Sequence, residues 1–175
     1  MLQGVKSKLV DIGVIKFLSE TAETYALQDQ QRESGAEHLL LAALDLSDGA
    51  ARRAFEQAGA SPDGLKAAIQ KQYDDGLGSL GLKADSPLRT PMTANAGVYR
   101  AAASGQDVMQ KLAALKKGRT PLNGAHVVSV IAGLSEGVAA RALRVLDVDL
   151  SRLKAAADDV SAAPRRLISS RDRTG

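Results

Sequence analysis

The feature that most constrains this chain is an internal duplication. Shifted by 88 residues, the segment HLLLAALDLSDGAARRAF (38–55) lies over HVVSVIAGLSEGVAARAL (126–143). Between 38–70 and its shifted copy, 11 of 33 positions are identical without a gap, including His38/His126, Gly49/Gly137, Arg53/Arg141 and Leu65/Leu153. Alanine-rich composition alone does not readily produce such a run. The chain is read as a tandem repeat whose copies bury their apolar faces together.

Each copy reads as helical. Ala51, Ala54, Phe55 and Ala58 recur at spacings of three and four, as do Ala139, Ala142, Leu143 and Leu146. Leu39–Leu46 and Val127–Leu134 are short and nearly all apolar, the pattern of helices at the centre of a bundle. Gly49 and Gly137 mark turns, with Asp48 or Glu136 near the positive end of the next helix. Ser61-Pro62 and Asp149 are expected to start the following helices. The first helix is expected over about 11–32, with Ile15, Leu18, Ala22, Tyr25 and Ala26 inward. Its counterpart is expected from Thr93, with Ser104-Gly105 as a candidate interruption. Residues 74–91 carry Gly76, Gly78, Gly81, Pro87 and Pro91 and read as an open connector.

Composition removes several function classes. The chain of 175 residues has no Cys and two His, which excludes disulfides, thiol nucleophiles and Cys-ligated zinc. The +3 formal charge resides wholly in residues 161–175, where Arg165, Arg166, Arg171 and Arg173 outnumber Asp172. Residues 1–160 are therefore neutral overall, which argues against a nucleic-acid-binding domain. No apolar run approaches a membrane span, and no signal peptide opens the chain, so a cytoplasmic protein is expected. No GxxxxGK[ST] loop and no GxSxG elbow are present, and Ser34 near His38 and Ser129 near His126 lack the context of a nucleophile. Neither a catalytic constellation, a cofactor nor a metal is expected.

The two segments SGAEHLLLAALDLSDGAARRAFEQAGA and NGAHVVSVIAGLSEGVAARALRVLDVDLSRL resemble the paired repeats of the Clp amino-terminal domain. The resemblance covers about residues 11–160. It implies an all-α fold, a pseudo-twofold array of eight helices with four from each repeat. On this reading 1–160 is the double repeat (11–73, linker 74–91, 92–160), and 161–175 is a flexible basic tail. In Clp unfoldases the domain sits above an ATP-driven ring and binds substrates or adaptors. Lacking a motor, this chain is expected to be a non-enzymatic protein-binding module acting as adaptor, decoy or regulator. The alternatives are the excised N-terminal domain of a Clp ATPase, or a self-associating regulatory domain without Clp partners.

In one branch of the family, the acid of each Glu-His pair engages phosphoarginine. Glu37 keeps that acid, whereas Ala125 replaces it before His126. The helix-starting Thr of the family aligns with Ile12 in the first copy and with Thr93 in the second, so neither site is complete. Glu37, Thr93, Tyr25 and Tyr99 are the candidate ligand- or peptide-binding residues. His38, His126, Gly49, Gly137, Arg53 and Arg141 are expected to be structural, the arginines pairing with acids or covering the core with their stems. An apolar groove between the repeats is the expected binding surface.

Overall fold

The computed structural model describes residues 2–81, 101–115 and 120–163. Among them lie eight helices: α1 (Leu2–Gln28), α2 (Ala36–Asp45), α3 (Ala50–Gln57), α4 (Leu65–Ser79), α5 (Ala103–Leu115), α6 (Gly124–Ala132), α7 (Val138–Val145) and α8 (Leu150–Ala162). No strand occurs among the described residues, where one isolated parallel bridge joins Ser34 to Ala101. The fold is all-α.

The 88-residue shift carries α3 onto α7 residue for residue, and α2 onto α6 to within one residue. Packing follows the same logic. α2 and α6 meet at the centre; α3 lies on α6 and α8, while α7 lies on α2 and α4. The third helix of each half thus rests on the second and fourth helices of the other. This crossed packing is consistent with duplicated four-helix units. Both central helices are apolar nearly all round, as a helix enclosed on every side must be. Phe55, Leu39, Leu40, Ile131, Leu143 and Leu153 are fully buried, each contributing about 1.5–3 kcal/mol of transfer free energy.

Small residues permit the close approach of the halves. At Gly124 a Cβ would stand 2.9 Å from the Ala43 carbonyl oxygen and 3.0 Å from the Ala51 methyl. Asp48 ties the same junction. One carboxylate oxygen accepts from Ala50 N–H at 2.7 Å, capping α3, and the other from Gly124 N–H at 3.1 Å, at the start of α6. Asp11, on buried α1 surface, accepts from Leu122 N–H at 2.8 Å.

Several expected boundaries move. α1 begins nine residues earlier than expected and ends at Gln28, where Gln30 takes a left-handed conformation (φ 59°) and Gln31 N–H returns to the Ala26 carbonyl. Its inward set is Val14, Leu18, Ala22 and Ala26, with Ile15 and Tyr25 partly buried. α4 starts at Leu65 rather than at Pro62, because Ser61 Oγ accepts from Asp63 N–H and closes a local turn, and left-handed Gly64 follows. Asp149 does cap α8, accepting from Arg152 N–H at 3.0 Å.

The connector does not open at Asp74. α4 continues to Ser79, with Gln70 bonded to Asp74 and Lys71 paired with Asp75 at i,i+4 spacing, which offsets the cost of Gly76 and Gly78. The rest of the expected connector beyond residue 81, and the expected helix start at Thr93, lie outside the described residues. Ser104-Gly105 does not interrupt a helix but forms the first turn of α5. Any side chain at Gly105 would strike the Ser34 carbonyl.

Candidate functional site

Two polar constellations stand on the first half of the chain. One is open and one is closed.

The open one is a cleft of about 430 Å³ lined by Glu20, Thr21, Thr24, Tyr25 and Gln28 from α1, Asp45 at the end of α2, and Lys66 in the first turn of α4. Helical spacing puts Thr21, Thr24, Tyr25 and Gln28 on neighbouring ridges of α1. Tyr25 is the hinge of the arrangement. Its hydroxyl donates to Asp45 Oδ2 at 2.6 Å, and Lys66 Nζ stands 5.3 Å from its ring centroid while donating to Gln28 Oε1 at 2.7 Å. Partial burial, then the hydrogen bond and charge of Asp45, push the Tyr25 phenol up to about 12. The cleft therefore offers a neutral aromatic ring, an ammonium, carboxylates and hydroxyls drawn from three helices.

The closed constellation surrounds His38, which is fully buried. Its Nδ1 accepts from Gly35 N–H at 2.9 Å, which places the ring hydrogen on Nε2, 3.2 Å from Asp29 Oδ2. Glu37, only 4% exposed, accepts from the Tyr73 hydroxyl, and its carboxylate lies 3.5 Å from His38 Nδ1. The Tyr73 ring stacks on His38 with centroids 6.0 Å apart and planes 7° from parallel. Burial first, and the Glu37 charge next, raise the Tyr73 phenol well above its ordinary value. Glu37 is thus engaged inside the protein, beneath α4.

The second half repeats only the framework. His126 Nδ1 accepts from Asn123 N–H at 3.1 Å, while Asn123 Oδ1 accepts from Ala125 and His126 N–H. Both histidines therefore reach back from the third helical position to the N–H of the residue before the helix, and in the second half the Asn123 side chain completes a reciprocal cap that Gly35 cannot form in the first. Ala125 is fully buried and offers no carboxylate. Burial lowers the His126 pKa, against the raising effect of its bond to Asn123.

Gly49 and Gly137 both stand before a helix at positive φ, 62° and 103°. Arg53 and Arg141 do not pair with acids in the way expected. Arg53 donates to the Asp48 backbone carbonyl at 2.9 Å, and Arg141 Nε to Gln72 Oε1 at 3.1 Å. Thr93, Tyr99 and the arginines of the tail lie outside the described residues. The Tyr25 cleft lies within the first half and is a different surface from the apolar groove expected between the halves.

Asp29, Asp45 and Lys66 escaped the sequence reading. The identity of Lys66 with Lys154 was the one available signal, and it is ambiguous, since Lys154 pairs with Asp158 on its own helix at 2.8 Å. No group of three or more His, Asp or Glu that would hold a metal occurs among the described residues, and no described helix is long and apolar enough to cross a membrane.

No curated protein matches the chain. A family model does. The last part of α1 together with α2, α3 and α4, with the Glu37-His38 pair at the head of α2 and both polar constellations, falls within the match, and residues 17–96 are identified as a Clp repeat (R) N-terminal domain.

Proposed function

We propose that the chain is a protein-binding module of the Clp unfoldase and protease system, acting as an adaptor, decoy or regulator. On this reading the two halves form one pseudo-twofold double repeat, and the Tyr25 cleft receives a segment of a substrate or adaptor polypeptide. The observation that carries the reading is the position of the cleft within the Clp repeat match, with a tyrosine ring flanked by a lysine and two carboxylates. Tyrosine, with tryptophan and arginine, is enriched among the residues that carry the binding energy of protein interfaces.

Recognition of phosphoarginine has no support at either family position. Glu37 is covered by Tyr73, and the second half has Ala125 in the place of the acid. Binding at the Tyr25 cleft is therefore independent of arginine phosphorylation.

Biolayer interferometry against a Clp ATPase of the same source, and against a permanently unfolded polypeptide, tests the proposal. Saturable binding to either one, weakened about tenfold by Tyr25→Ala with the helical content retained, is expected. Absence of binding to both, or binding indifferent to Tyr25, rejects it.

A further inference from the structure

The amino-terminal turns of α1 carry a second apolar face that the bundle does not use. Val5, Leu9 and Ile12 are 59%, 64% and 60% exposed, whereas the face that packs inward carries Val14, Leu18, Ala22 and Ala26. Spacings of four and three place the exposed trio within an arc of roughly 60°. Single exposed aliphatic residues are ordinary, but a contiguous helical stripe marks an interaction surface.

Its electrostatic setting is one-signed. Residues 2–10 contain Lys6 and Lys8 and no acid, and both lysines are exposed, on opposite flanks of the stripe. The first carboxylate along the helix, Asp11, is turned inward to Leu122 N–H. A second copy of this chain is a poor occupant. Antiparallel pairing through Leu9 would bring the two Lys8 side chains together, and parallel pairing would set Lys6 of each copy against Lys8 of the other, with no acid among residues 2–10 to offset them. A lipid surface is also disfavoured, since three aliphatic side chains and two lysines, without an aromatic anchor, give a weak attachment.

We infer that the first three turns of α1 are a docking face for an acidic amphipathic helix of a partner protein. Val5, Leu9 and Ile12 form the apolar seam, and Lys6 and Lys8 pair with carboxylates flanking the partner's own seam. The site lies on the side of α1 facing away from the bundle and before the Clp repeat match, so it operates separately from the Tyr25 cleft.

The test titrates the full chain calorimetrically with a synthetic helical peptide bearing a leucine seam flanked by glutamates. A second peptide has every glutamate replaced by glutamine. The wild-type chain is expected to bind the glutamate peptide, with affinity falling as salt rises, and the glutamine peptide at least about tenfold more weakly. The Leu9→Gln/Ile12→Gln variant should lose about tenfold in affinity with an unchanged circular dichroism spectrum, because both positions are exposed. Tyr25→Ala should leave this binding intact. The inference is overturned by no binding, by equal binding of the two peptides, or by a double variant that binds as the wild type does. It is equally overturned if phosphatidylserine vesicles bind the stripe and the glutamate peptide does not, or if the stripe supports a dimer of the chain and no peptide binding.

Discussion

Replacing Tyr73 by Phe removes one atom from the closed constellation and tests whether Glu37 is an internal structural group. The Phe ring keeps the stacking on His38 and the apolar area of the original side chain. What disappears is the hydroxyl that donates to Glu37, whose carboxylate is only 4% exposed and has little access to water as a replacement. A hydrogen bond to a charged group contributes about 1.5–3 kcal/mol, and a buried carboxylate left short of a donor carries the cost of its desolvation as well. With an m-value of about 2 kcal/mol/M for a chain of this size, a loss of about 2 kcal/mol lowers the urea midpoint by about 1 M. Combined with Glu37→Gln in a double-mutant cycle, the pair should show a coupling of about 1 kcal/mol or more. The pH dependence has a definite sign. The folded phenol titrates above its ordinary value of 10.0, so its contribution is complete below pH 10 and is lost as pH rises beyond it. In Tyr73→Phe that part of the alkaline loss disappears. A midpoint shift under about 0.2 M together with no coupling would refute the reasoning and leave Glu37 an uncommitted carboxylate.

Three further outcomes follow from the packing and the caps. Gly124→Ala forces a methyl against the Ala43 carbonyl oxygen and the Ala51 methyl; thermal unfolding should show a loss of about 1–3 kcal/mol. Asp147 adopts φ 58° at the position corresponding to Gly59 of the first half, so Asp147→Gly should raise stability by about 0.5–1 kcal/mol in urea unfolding. His126 is half-buried with its pKa below 6.5, mainly through burial, so its contribution is intact above pH 6.5 and is lost as pH falls through the lowered value. His126→Gln keeps an acceptor for the Asn123 N–H and should flatten that part of the acid limb of a stability–pH profile.

What the sequence discloses here follows the range of the forces involved. The duplication and the 3.6-residue period locate α2, α3, α6 and α7, because burial on two or more sides imposes the apolar pattern residue by residue. The ends of α1 and α4 were not visible in that pattern. The first turns of α1 are apolar on a face with no neighbour in the bundle, and the last turns of α4 contain glycines that local side-chain pairs outweigh. The candidate sites show the same division. His38 and His126 could be read as structural because they occupy matching places in the two copies, and each ring accepts from the backbone N–H three residues back. Tyr25 could be singled out as one of few aromatics, but Asp45 and Lys66 reach it from separate helices, 20 and 41 residues along the chain. Likewise, the burial of Glu37 depends on Tyr73, 36 residues away, and its environment is a tertiary property that no local pattern encodes.

The most direct test of a Clp-type module that binds polypeptides through the open cleft is a nuclear magnetic resonance titration of the labelled chain with an unfolded, unphosphorylated polypeptide and with a Clp ATPase. The account predicts chemical-shift changes that centre on Tyr25, Asp45 and Lys66 in at least one titration, with Glu37, His38 and Tyr73 unmoved. Changes centred on Glu37 and Tyr73 with the cleft silent, or no changes with either ligand, would contradict it.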